Sequence, residues 1–294
     1  MNQNNANKRK YVSWIFLPCV IAFVLQFIVT IIVMEGGAVY ALGTFKGTTW
    51  NELMTKVYST MLSDTAQNCI FVVYTIVGII TFLCIFHSLF MKGRSYSPKG
   101  ISKSVPATVA GIIVFCIGIQ YVTLFLMSAL SSAFPDWLQE YQELMDTAGI
   151  GNKMTVMMAV YALVLGPVME EIIFRGITLS AAKKVMSYYM AIIVQAILFG
   201  AYHMNALQSC YAFVFGLGMG YIMHIYDNLL VTIIIHIVYN VIGTIGSAFL
   251  PVGGSNVISF FFWVLFSLIL TYFGIVLLRK GAASVKEDDI YVDI

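Results

Sequence analysis

Six side chains of this sequence carry groups that do chemistry, and all six sit where such groups are costly to place. Glu170, Glu171 and Arg175 lie in an apolar stretch with no lysine between Lys153 and Lys183. His203 follows Phe199 by four residues, and His236 precedes Asn240 by four. A charge at the centre of a bilayer costs roughly 2.5–3.5 kcal/mol on insertion scales, so an ionisable group at that depth marks a functional site by default. Residues four apart on a helix share a face, whereas neighbours diverge by about 100 degrees. Glu171 and Arg175 are therefore expected to pair. Glu170 is left without a partner on its own helix, which is the profile of a general base. Asn240 shares a face with His236 and can orient a ring nitrogen or donate its amide hydrogens to an oxyanion.

These groups support two chemistries. In the first, Glu170 and His203 activate a water that attacks a peptide carbonyl, while His236 and Asn240 stabilise the developing oxyanion. In the second, Glu170, His203 and His236 hold a metal such as zinc, and the metal-bound water is the nucleophile. The HExxH signature of many zinc proteases is absent. Structural readings compete with both: Glu171 with Arg175 as a bundle-fixing ion pair, and His236 with Asn240 as hydrogen-bonding glue between helices. Phe199 and Tyr239 read as packing residues. His87 and His224 fall near helix ends and read as interfacial.

The elements that must position these groups are membrane helices. The chain has 294 residues, 60% hydrophobic and 10% charged, with a mean hydropathy of +0.88. A soluble core is excluded by that composition. Runs of roughly 20 apolar residues can be placed at Tyr11 to Met34, Asn68 to Met91, Val105 to Leu130, Met154 to Ile177, Tyr188 to His203, Gln208 to Ile225, Leu229 to Leu250 and Val257 to Leu278. The expected fold is an all-α, polytopic membrane bundle of about eight transmembrane helices, since backbone in lipid must satisfy its own hydrogen bonds and the runs lack barrel alternation. The first run has no small-residue cleavage site and reads as a retained helix.

Lysine and arginine set the orientation. Lys8, Arg9, Lys10, Lys92, Arg94, Lys99, Lys103, Lys183, Lys184, Arg279, Lys280 and Lys286 fall on one side, against Lys46, Lys56 and Lys153 on the other. The positive-inside rule then puts both termini in the cytoplasm of a membrane of bacterial type. The formal charge of +2 gives no sign of a nucleic-acid partner. Membrane lipid and a peptide or membrane-protein substrate are the partners expected. Five scattered cysteines, Cys19, Cys69, Cys84, Cys116 and Cys210, read as small apolar packing residues.

Along the chain, the segment Glu35 to Gln67 reads as an external, partly helical excursion, and Lys92 to Ser104 as a basic linker. Pro135 to Met145 has apolar residues at helical spacing and is expected on the outer membrane surface. One domain spans 1–294, with the chemistry in a module at about 154–250 and scaffold helices at about 11–130 and 257–278. Pro167, three residues before Glu170, removes a backbone donor and predicts a kink. With straight helices rising 1.5 Å per residue, Glu170 lies roughly 20 Å from Lys183, His203 roughly 24 Å from Ser187 and His236 roughly 14 Å from Asp227. Straight vertical helices therefore set the groups at different depths.

Three short patterns, EExxxR at Glu170 to Arg175, FxxxH at Phe199 to His203 and HxxxN at His236 to Asn240, occur in that order on successive helices. Together, with Phe-Arg-Gly after the glutamates, they resemble the CAAX protease and bacteriocin-processing (CPBP) family of intramembrane endopeptidases, over about Thr155 to Ala248. The resemblance implies Glu170 as the water-activating carboxylate, His203 as its partner, His236 and Asn240 as oxyanion stabilisers, and Glu171 and Arg175 as supporting residues. It leaves the metal open, since the family has been described both as metalloproteases and as metal-independent glutamate proteases. Two other classes stay in view: a proton-coupled transporter, and a non-catalytic immunity or scaffold protein.

Overall fold

The computed structural model describes residues 3–92, 104–150, 154–245 and 256–282, with side chains over 9–92, 104–150, 154–244 and 256–282. Lys8, most of the basic linker with Arg94, Lys99 and Lys103, Lys153, the end of the seventh apolar run and the tail with Lys286 lie outside these side chains. All regular structure among the described residues is helical. Helix α1 runs Gln3–Gly43, α2 Trp50–Met61, α3 Asp64–Phe86 and α4 Val105–Ala133. Helix α5 is Pro135–Thr147, α6 Val156–Ala182, α7 Tyr188–Tyr202, α8 Ala206–Tyr226, α9 Leu229–Ile245 and α10 Val257–Gly281.

Six of these helices are long and apolar enough to cross a membrane, α1, α3, α4, α6, α8 and α10, while α7 and α9 are shorter apolar helices. The fold is an all-α membrane bundle, and the protein is an integral membrane protein. The excursion after α1 begins later than the expected Glu35, because α1 continues through Gly36 and Gly37 to Gly43. Within it, α2 starts on a capping box in which Thr49 accepts from the Glu52 amide and the Glu52 carboxylate accepts from the Thr49 amide, at 3.3 and 3.2 Å. Helix α5 begins at Pro135, whose missing N–H costs nothing in a first turn.

Lipid gives helices no hydrophobic reason to associate, so close backbone approach must supply the contact energy. Two helix pairs show it. Between α4 and α10, a Cβ at Gly118 would stand 2.8 Å from the Thr271 Cα, and one at Gly274 would stand 2.6 Å from the Phe115 Cα. Between α7 and α8, a Cβ at Gly200 would lie 2.6 Å from the Ser209 carbonyl oxygen, and one at Gly216 would lie 3.2 Å from the Ala196 Cα. The first pair braces α9 from behind, and the second carries His203 at its tip.

Substituting Gly118 by leucine should therefore cost on the order of 1–3 kcal/mol through overpacking. Gly36→Leu is the matched control, since a Cβ there meets nothing within 4 Å. Thermal unfolding in detergent should show a lowered midpoint for the first variant and an unchanged one for the second.

Candidate active site

Helix α6 departs from α-helical geometry on both sides of its two glutamates. Residues Tyr161–Leu165 and Ile172–Thr178 form π turns, and the α-helical segment between them is Gly166–Glu171. Such turns recur at functional sites and put more residues into each turn. The first one has an identifiable cause. The Gly166 amide bonds to the Tyr161 carbonyl, five residues back, and Pro167 has no amide to give. Both backbone donors that could reach the Ala162 carbonyl are thus lost. The Asn240 side chain fills the gap, donating from Nδ2 to the Ala162 oxygen at 2.9 Å.

The second device is a chain of charge. Arg175 and Glu171 are fully buried, and the guanidinium donates to Glu171 Oε1 at 2.8 Å, which is the pairing expected from their spacing. The same oxygen lies 2.8 Å from His236 Nδ1, and Thr232 stands beside this carboxylate. A carboxylate held ionised by arginine can only accept, so Nδ1 of His236 is the donor. Its other nitrogen, Nε2, then faces Glu170, with Oε2 3.6 Å away. That separation is beyond hydrogen-bond length and within reach after a small closure. The depth mismatch expected from straight helices does not arise between Glu170 and His236, whose side chains lie side by side; the π turn at Ile172–Thr178 shortens α6 in that direction and accounts for part of the difference.

Arg175 is held from three sides. Besides Glu171 it reaches the Gly216 carbonyl at 3.5 Å, and its guanidinium carbon lies 4.6 Å from the centroid of the Phe199 ring. Gln195 donates to the same Gly216 oxygen at 2.8 Å, fixing α7 to α8 beside the site. Phe199 does more than fill space. Its ring meets His203 edge-on at 5.0 Å and His236 at 5.9 Å, so one buried phenyl separates and orients both imidazoles.

His203 is the first residue past α7, and its Nδ1 lies 2.8 Å from the Phe199 carbonyl oxygen. A carbonyl accepts only, so Nδ1 carries a proton and Nε2 is the nitrogen left to face the site. Among the described residues, no three His, Cys, Asp or Glu side chains stand together as a metal-holding group.

The residues singled out from sequence thus fall into one region with altered partnerships. Glu171 with Arg175 orients His236, a link for which the spacing gave no signal. Asn240 serves a backbone carbonyl on α6 instead of the ring on its own helix. Two tyrosines were missed altogether. The hydroxyls of Tyr74 on α3 and Tyr202 on α7 lie 2.6 Å apart. Tyr202 precedes His203 directly, which is a signal of a kind. Tyr74 lies 128 residues before Tyr202, in a helix that reads as scaffold, and no local pattern marks it.

Residues 152–242 match the family model described as type II CAAX prenyl endopeptidase Rce1-like. Over that segment the chain is a CAAX-protease relative. The Rce1-like segment covers α6, α7 and α8 whole and α9 up to Ile242, and so includes Glu170, Glu171, Arg175, His203, His236 and Asn240. The likeness carried by the three motifs and the match to the family model agree over this segment. No curated protein and no solved structure matches the chain.

The Asn240 contact is separable from chemistry. Asn240→Ala leaves a carbonyl without a donor inside the bundle, at a cost of about 1–3 kcal/mol. Adding Pro167→Ala restores a backbone N–H to the same turn. Thermal unfolding should show the double variant recovering part of the loss, so that the two effects fail to add.

Proposed function

We propose that this protein is an intramembrane endopeptidase that hydrolyses a peptide bond in a membrane-embedded or membrane-adjacent polypeptide, with Glu170 as the base and no metal required. The observation that carries this reading is the Glu171–His236–Glu170 line. One carboxylate fixes Nδ1 of the ring, and Nε2 is thereby aimed at the other.

The reaction then runs on protein groups. Glu170, only partly shielded, takes a proton from water as the water oxygen bonds to the scissile carbonyl carbon, and the carbonyl electron pair moves onto its oxygen. His203, with its Nε2 lone pair, is the second base. Collapse of the tetrahedral intermediate breaks the C–N bond, and the proton held by Glu170 passes to the leaving amine. Phe199 and the surrounding aromatic rings exclude bulk water, which strengthens each electrostatic contact within the site.

The excess of basic residues on one end supports a cytoplasmic placement for that end. Arg9, Lys10, Lys92, Lys183, Lys184, Arg279 and Lys280 lie there among the described residues. The family match supports a substrate class of prenylated C-terminal peptides as the first to assay.

The test uses wild-type protein and Glu170→Gln in lipid nanodiscs with internally quenched peptides, farnesylated at a C-terminal CAAX cysteine or unprenylated. Wild-type protein should cleave at least one of them, and Glu170→Gln should lose at least about 10³-fold in kcat with its thermal midpoint unchanged. A chelator should leave the wild-type rate unaltered. A Glu170→Gln protein that cleaves at the wild-type rate would overturn the assignment.

A further inference from the structure

On α7, Gln195, Phe199 and His203 follow one another at four-residue spacing and share a face. Phe199 offers its ring to the guanidinium of Arg175, and His203 sits just past the helix end. Gln195, the first of the three, is fully buried. Its Nε2 donates to the Gly216 carbonyl at 2.8 Å and to the Ile192 carbonyl at 3.0 Å, while its Oε1 is buried with no hydrogen-bond partner. An orphan acceptor inside a bundle costs about 1–3 kcal/mol, which a leucine or methionine in that place would avoid. Contact between α7 and α8 does not call for an amide here, because close backbone approach at Gly200 and Gly216 already supplies it.

Helix α8 is shaped around that amide. Gly216 and Gly220 stand one turn apart, and a Cβ at Gly220 would come 2.8 Å from Gln195 Nε2 and 3.0 Å from Ile192 Cγ2. The two glycines open a notch that admits the amide to the Gly216 oxygen. Arg175 Nη2 reaches the same oxygen, at 3.5 Å. From there the contacts continue to the site: Arg175 donates to Glu171 at 2.8 Å, Glu171 lies 2.8 Å from His236 Nδ1, and His236 Nε2 faces Glu170. With Gln195 at 2.8 Å on the shared carbonyl, the guanidinium makes its shorter contact with Glu171.

We propose that Gln195 is a positioning residue of this site: by occupying the Gly216 carbonyl it keeps the Arg175 guanidinium on Glu171, and so keeps His236 Nε2 facing Glu170. This rests on the endopeptidase reading above. Gln195 acts through Arg175 and not on the substrate, so its loss should appear in the chemical step and leave substrate binding unchanged.

Gln195→Met keeps the volume and removes the amide. Gly220→Ala leaves Gln195 in place but puts a methyl where Nε2 must sit, which drives the amide off the Gly216 oxygen. In nanodiscs, with the quenched peptide that wild-type protein cleaves best, each should lower kcat by about 10–10²-fold with KM nearly unchanged. Thermal midpoints, measured alongside, should stay close to wild type. Arg175→Lys keeps the charge and loses the guanidinium fork. Adding Gln195→Met to it should lower kcat no further, because both changes act on one chain of contacts. Wild-type kcat in either Gln195→Met or Gly220→Ala, with Glu170→Gln inactive, would reduce the amide to a helix brace; it would overturn this inference and leave the endopeptidase reading intact. Losses that multiply in the Arg175→Lys background, or a loss confined to KM, would overturn it as well. Activity retained by Glu170→Gln, or no cleavage by wild-type protein, would overturn both.

Discussion

The structure depends on one buried oxygen, Glu171 Oε1, which accepts from Arg175 and from His236 at 2.8 Å each. Two charges taken out of water cost several kcal/mol apiece, and an ion pair offsets this only when its remaining hydrogen bonds are met. Here the offset draws on three further helices, although Glu171 Oε2 and Arg175 Nε are buried without a hydrogen-bond partner. Gly216 of α8 lends a carbonyl to the guanidinium, Phe199 of α7 lends a ring face, and His236 of α9 lends an N–H. Aligning those groups fixes the mutual positions of α6, α7, α8 and α9, so a single electrostatic requirement sets the geometry of the site. The adjacent Glu170, pointing to the other side of α6, inherits a His236 ring whose tautomer is already decided.

Backbone irregularity has the same economy. The π turn before Pro167 breaks the hydrogen-bond ladder at Ala162, and the break is repaired from α9 by Asn240. A distortion of α6 therefore becomes a tether to the helix that carries His236. Glycines make this assembly tight enough to hold. Gly200 and Gly216 let α7 and α8 approach until only backbone separates them, and Gly78 lets α3 close over Met169 beside Glu170.

Much of this was legible in the sequence. Apolar run lengths gave the helices, because lipid leaves the backbone no other solution. Four-residue spacing gave the Glu171–Arg175 pair, because that contact is local to one helix. What the spacing could not give were partners on other helices. His236 shares a face with Asn240, yet each bonds to α6, and nothing in HxxxN says so. The depth argument went astray in part because it assumed α-helical rise throughout α6, and π turns cannot be read from hydropathy. Tyr74 was invisible for a related reason: its meaning depends on Gly78 docking α3 against Met169, a contact between positions 91 residues apart. Scaffold helices in such a bundle are separable from the site by sequence only, not by contact.

The most direct measurement of the central claim is a stability cycle on the buried pair. Arg175→Met, Glu171→Gln and the double variant are unfolded in the same detergent, and each is compared with wild type. Arg175→Met alone strands the Glu171 carboxylate in the bundle and should cost about 3–5 kcal/mol, whereas the double variant removes both charges and should regain much of that loss. Losses that simply add, or an Arg175→Met protein as stable as wild type, would contradict the account in which this pair holds the site together.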